Sequence, residues 1–169
     1  MSDFPKLQPA MTVLVSIDAP LGIGSHSKGT PLAIVPMTGG TVVTEPGFEP
    51  KLDAEFVGTG NDYIHNDPDN GRMRLDAHGV VKDKSSGSMI YLSYTGIVDI
   101  TPELGAVLGG SPDAKTTDFG NSFIHMKFET GDPSLKALEQ GVFVGAGRFR
   151  YENGKPVVVE YKLSKVVKG

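Results

Sequence analysis

The amino-acid sequence predicts an all-β chain that closes on itself as one antiparallel barrel. Three observations carry this. Glycine (22) and proline (12) are spread along all 169 residues, which disfavours long helices and supplies turns. Roughly nine or ten segments show the period-two patterning of strands. Only two stretches have helical character. With so many strands, closing the sheet removes its exposed edges, so a barrel is favoured over an open sheet.

The segments follow in order. Met11, Val13, Val15 and Ile17 alternate with Thr12, Leu14, Ser16 and Asp18. "TPLAIVP" (Thr30–Pro36) and "GTVVTE" (Gly40–Glu45) are β-branched and bounded by glycine or proline, while "GIGSHSKG" between the first two runs reads as a Gly/Ser loop. "KLDAEFVG" (Lys51–Gly58) sets Leu52, Ala54 and Phe56 against Asp53, Glu55 and Val57. Asp67-Pro68 and Asn70-Gly71 mark Asn66–Gly71 as a turn, and "GRMRLDAHGVV" then alternates again. "SMIYLSYTGIVDI", "NSFIHMKFETG", "GVFVGAGRFRY" and "PVVVEYKLSKVV" complete the strands. Gly145 and Gly147 interrupt the third of these, where glycine marks a bend or bulge. The helical stretches are Thr101–Gly110 and Asp132–Gly141. The second predicts one short helix, with Asp132 as N-cap, Pro133 at N1 and Gly141 beyond the end. Gly105–Phe119 reads as an irregular loop able to cap a site. No repeat or linker divides residues 1–169, so one domain is expected: a barrel of about eight to ten strands, of the lipocalin or calycin kind.

Composition narrows the function classes. A net charge of −4 offers no basic field, so nucleic acid is not an expected partner. The lack of cysteine excludes disulfides, thiolate zinc sites and cysteine nucleophiles. No signal-peptide pattern or membrane-length apolar run is present, and a cytoplasmic, soluble chain without membrane association is expected. Edge strands and an acidic surface allow a homodimer.

The densest chemistry lies in "TGNDYIHNDPDNGRMRLDAHG", Thr59 to Gly79. Read as a calcium loop from Asp67, it puts Gly71 at position 5 and His78 at position 12, and the pattern fails. The strand that follows carries Arg74, Asp76 and His78 on one face and Met73, Leu75 and Ala77 on the other. "FIHMKFETG" repeats the arrangement, with Phe123, His125, Lys127 and Glu129 opposite Ile124, Met126 and Phe128. Such faces are either wet outer surfaces with weak ion pairs or the polar lining of a ligand cavity. The four histidines show no metal-binding spacing, and no metal is expected. No nucleotide-binding or nucleophile-elbow motif appears, and no cofactor is expected.

The pieces "IVPMTGGTV", "GNDY", "RLDAHG", "GSMIYLSYTGI" and "FETGDPSLKALEQGVFVGAGR", in this order and spacing, resemble the DUF 3237 (UPF 0311) family from about Met11 to Val166. The resemblance implies an antiparallel β-barrel. Bacterial members commonly have Trp where this chain has Tyr63 and Arg where it has His78. Fungal-looking members resemble accessory proteins of natural-product pathways. There, a cofactor-independent cyclase or isomerase of a prenylated or polyketide aromatic is implied, for example by intramolecular hydroalkoxylation.

Alkene protonation needs a carboxylic acid kept neutral by burial or a like-charged neighbour, for which Asp62, Asp76 and Glu129 are the candidates. His125 or Lys127 would hold a phenolate. Tyr63, Tyr94, Phe123 and Phe149 would form aromatic walls, with His78 and Arg148 as further substrate contacts. The expectation is thus an acid–base enzyme for a small aromatic, terpenoid or polyketide substrate. The alternative is a non-catalytic binder of a hydrophobic metabolite. The two differ in whether titratable groups converge inside the barrel.

Overall fold

The computed structural model describes residues 2–58 and 60–169. The described residues hold ten antiparallel strands in one sheet that closes into a ring: β1 (Lys6–Ile17), β2 (Leu21–Gly24), β3 (Leu32–Thr44), β4 (Asp53–Phe56), β5 (Gly60–Asn66), β6 (Arg72–Asp83), β7 (Met89–Asp99), β8 (Ser122–Thr130), β9 (Phe143–Arg150) and β10 (Val158–Val167). From β6 to β10 each strand pairs with the next, β10 returns to β1, and β1 pairs with β3. Between β3 and β6, β5 and β4 together take the place of one strand. β5 pairs with Leu32–Met37 of β3, and β4 with Thr41–Val43. β2 adds to the free edge of β3 beyond the end of β1.

The two β-branched runs of residues 30–45 are therefore one long strand rather than two. Gly39 and Gly40 sit within it, opposite a bulge between Ser16 and Ile17 of β1. Gly40 has φ 135°, and a Cβ there would lie 1.9 Å from the Leu14 carbonyl oxygen. Only glycine lets the two backbones approach so closely while the ring closes. The segment read as a Gly/Ser loop contributes Gly22–Gly24, three of the four exposed residues of β2.

Alternation sorts the side chains as hydrophobic burial requires. Met11, Val13 and Val15 are fully buried, as are Leu163 of the neighbouring β10 and Leu92 and Met126 of β7 and β8. The turn at Asn66–Gly71 is as expected, with the Asp67 amide bonded to the Arg72 carbonyl and Asn70 at φ 55°. Both helical stretches are helical in part. Thr101 caps α1 (Pro102–Leu108) by accepting from the Leu104 amide, so the expected irregular loop begins as helix and is irregular from Gly109. Asp132 accepts from the Ser134 amide and starts a 3-10 turn (Pro133–Leu135) that continues as α2 (Lys136–Glu139). No helix among the described residues is long and apolar enough to cross a membrane.

Candidate functional site

One end of the barrel is hollow. A cavity of about 500 Å³ lies inside the ring, open at the β1–β2 loop, the β9–β10 loop and α1. Val35 and Met37 of β3, Ile64 of β5, Leu75 of β6 and Val159 of β10 make its walls apolar, and Leu108 of α1 and Phe149 of β9 flank it. Into this space project Asp62 of β5, Tyr94 of β7 and Tyr161 of β10. Asp18, the other carboxylate of the lining among the described residues, is exposed at the mouth.

Asp62 points inward because it shares strand parity with Ile64, whose side chain the interior takes up. Only 6% of its surface is exposed. Its Oδ1 accepts from the Asp76 amide at 2.9 Å. Burial in apolar surroundings dominates its ionisation and pushes the carboxyl up to about 7, the negative Asp76 adding to the effect. The amide hydrogen bond and His78 oppose it. Near neutral pH the cavity thus holds a carboxyl present in both protonation states.

Tyr94 and Tyr161 are almost wholly buried, with ring centroids 5.3 Å apart. Burial and the nearby Asp62 hold both hydroxyls above the usual phenol range, so both are neutral phenols at physiological pH. The Tyr94 hydroxyl faces Met37 Sδ at 3.6 Å. Tyr161 reaches its place because β9 carries Gly147 beneath it. A Cβ at Gly147 would stand 2.6 Å from the Tyr161 ring and 2.9 Å from Ser122 Oγ. The two glycines of β9 serve close approach of side chains from neighbouring strands, for Leu163 presses equally on Gly145. Among the described residues, the Ser122 hydroxyl is the buried side-chain oxygen left without a hydrogen-bond partner.

The other expected site residues divide differently. Phe149 lines the cavity together with Asp62 and Tyr94. Asp76, His125, Lys127, Glu129 and Phe123 do not enter it. All five are exposed on the outer wall, because Leu75 and Ala77 of β6 and Ile124, Met126 and Phe128 of β8 occupy the interior. His125, Lys127 and Glu129 instead border a shallow surface depression beside Tyr91 and Ser93. The expected meeting of Asp62 and Asp76 with Glu129 and Lys127 inside the barrel is thereby corrected. Arg148 also faces outward, donating to Glu160 Oε2 at 2.7 Å and lying over the Phe119 ring. Tyr63 and His78 meet edge-to-face outside. There His78 Nε2 bonds Asp76 at 2.8 Å and Nδ1 bonds the Tyr91 hydroxyl at 2.6 Å.

Tyr161 and Met37 are site residues that charge-centred reading overlooks. The signal for Tyr161 lies in "PVVVEYKLSKVV", where it has the parity of Val159 and Leu163 and opposes Glu160 and Lys162. A polar-tipped aromatic on an otherwise apolar face marks the interior as surely as a charge marks the surface.

Chemically, the arrangement offers one proton donor-acceptor, two neutral phenols and aromatic faces in an apolar, ligand-sized space. The conjugate base of Asp62 keeps the Asp76 amide as its partner, so it can release and regain a proton without rearrangement.

Comparison with known proteins agrees with this architecture. A conserved protein of unknown function from Rhodopseudomonas palustris is 21% identical and superposes with a TM-score of 0.78, covering 98% of this chain and 100% of its own. A β-barrel-like protein from Acinetobacter baumannii is 25% identical with a TM-score of 0.71, covering 98% of each chain. An enzyme from Penicillium herquei is 16% identical with a TM-score of 0.61, covering 96% of this chain and 97% of its own. No curated protein matches. The family described as protein of unknown function (DUF3237) matches residues 5–166, nearly the whole chain, and the chain belongs to that family.

Proposed function

We propose that the chain is a cofactor-independent cyclase or isomerase of secondary metabolism, with Asp62 as general acid and base on an apolar, aromatic small molecule in the barrel cavity. The observation that carries this is the position of Asp62, a buried carboxyl ionising at about 7 in an apolar cavity. The enzyme from Penicillium herquei with the same fold is in keeping with it.

The reaction that fits is intramolecular hydroalkoxylation of a prenylated phenol. Neutral Asp62 gives its proton to the less substituted alkene carbon, leaving a tertiary cation against the faces of Tyr94, Tyr161 and Phe149. The phenol oxygen of the substrate attacks the cation, and its proton returns to the Asp62 carboxylate. One carboxyl therefore serves both steps, and the product is a cyclic ether of unchanged mass. His125 and Lys127, on the outer wall, have no part in this scheme.

The predominantly apolar lining also favours a second reading, a non-catalytic carrier of a hydrophobic metabolite. Incubation with a panel of ortho-prenylated phenols, followed by chromatography and mass spectrometry, separates the two. An enzyme yields the cyclic ether, and Asp62→Asn lowers its formation at least about a hundredfold while binding, read by quenching of tyrosine emission, persists. Binding without conversion by the wild type supports the carrier. Equal conversion by both proteins removes Asp62 from the chemistry.

A further inference from the structure

The ladder between β5 and β6 holds at Asn61↔His78 and Asp62↔Ala77, lapses, and resumes at His65↔Arg74. In the lapse the Asp76 amide turns to the Asp62 carboxyl. An amide within a strand is ordinarily committed to the neighbouring strand, so its transfer to a side chain is a local departure from the sheet. Asp76 thereby holds the interior acid with its backbone and projects its own carboxylate outside the wall. Outside, His78 bridges the Asp76 carboxylate and the Tyr91 hydroxyl. With its Nε2–H directed at the carboxylate, neutral His78 accepts the phenol proton at Nδ1. Three hydrogen bonds, joined through the covalent frame of Asp76, thus link Tyr91 outside the wall to Asp62 inside it.

We infer that His78, fixed by Tyr91 and Asp76, is a positioning residue through which the outer wall governs how firmly Asp62 holds its proton. This rests on the reading of Asp62 as the acid.

The outer wall acts on Asp62 through charge. The titratable groups sharing the cavity with Asp62 are the phenols of Tyr94 on β7 and Tyr161 on β10, both neutral, and Asp18 at the exposed mouth. Those bearing on it through the wall are Asp76 and His78 of β6. When His78 is neutral, the outer pair carries a net negative charge, which favours retention of the Asp62 proton. When His78 is protonated, the pair is neutral and the proton is released more readily, in line with the opposed effects of the two residues on Asp62. The conserved geometry in both cases is the backbone hydrogen bond, which keeps Oδ1 occupied and leaves Oδ2 to carry the proton.

The test is a pH titration of the Asp62 carboxyl carbon by NMR in protein labelled with carbon-13 aspartate, its resonance assigned by its absence in Asp62→Asn. Asp76→Asn and His78→Arg are chemically unlike, the first removing a negative charge and the second adding a positive one, yet each raises the net charge of the outer pair by one. Each lowers the Asp62 midpoint by about half a pH unit, and the double variant by about one. His78→Gln leaves the pair negative and does not lower it. Midpoints indistinguishable from wild type in all variants overturn the inference. So do opposite displacements in Asp76→Asn and His78→Arg, which would indicate disturbed packing. The wild-type midpoint judges the underlying reading separately: a value in the ordinary carboxylate range removes Asp62 as the acid, whatever the variants do.

Discussion

Replacing Asp62 by asparagine should make the protein more stable at neutral and higher pH and leave its stability at about pH 4 and below nearly unchanged. The side chain keeps its shape, and Oδ1 still accepts from the Asp76 amide. What disappears is ionisation. In the wild type the carboxyl titrates at 3.8 in the unfolded chain and at about 7 in the fold. Below the lower value both states are protonated and Asp62 has no effect on the pH dependence. Between the two values the unfolded chain alone has lost the proton, so stability falls by about 1.4 kcal/mol for each pH unit. Above the folded value both are ionised and the loss is complete, amounting to about 4 kcal/mol at most. Urea unfolding of both proteins from pH 4 to 9 measures this, and subtraction removes the titration of every other group. The difference should climb in favour of the variant between about pH 4 and 7 and then level off. A flat difference, or one that climbs in favour of the wild type, would refute the claim that burial dominates Asp62.

Asp83 behaves in the opposite sense. Burial works to raise its carboxyl, but hydrogen bonds from Ser85, Ser86 and the Asp53 amide outweigh it and hold the group at about 2. Its stabilisation is present above the unfolded value of 3.8 and is lost as pH falls through about 2. Asp83→Asn should therefore cost about 2 kcal/mol at pH 7 and much less near pH 2, measured by thermal unfolding. Gly147→Ala should destabilise by about 1–3 kcal/mol and displace Tyr161, because the new methyl meets the ring and Ser122 Oγ. A denaturant midpoint equal to wild type would show that the ring has room to move.

The barrel was largely legible because alternation and turn chemistry are local. Met11, Val13 and Val15 read as one face and are all buried. The Asn70-Gly71 turn reads directly, as does the cap at Asp132. What alternation does not supply is which face turns inward. For β8 the partition of Phe123, His125, Lys127 and Glu129 from Ile124, Met126 and Phe128 is correct, but the inward face is the apolar one. Placing the charged face in a cavity asks for desolvation of three ionisable groups without partners, and the hydrophobic effect decides against it. β2 has no burial pattern to read, because its four residues are all exposed. The fusion of two runs into β3 depends on the approach of Gly40 to Leu14, a contact distant in sequence. The transfer of the Asp76 amide to Asp62 has no sequence signature at all, since it is a lapse in a ladder.

That lapse also bears on why the chain keeps a carboxyl at Asp62. A lone carboxylate inside an apolar cavity destabilises the fold at neutral and higher pH, and here no cation is placed beside it among the described residues. Were the role to satisfy the Asp76 amide, an asparagine would do so without the penalty, and a completed ladder would need no side chain. Were the role to enlarge an apolar binding site, any of the residue types on the neighbouring walls would serve better. The feature that aspartate alone contributes is a proton exchangeable near pH 7, and the surroundings are arranged around that property. Burial holds the proton on, the amide supports the anion once it leaves, and the outer carboxylate and imidazole stand one residue and one strand face away. Under the proposed function these three parts answer to one acid that gives up its proton and is re-protonated by its own substrate.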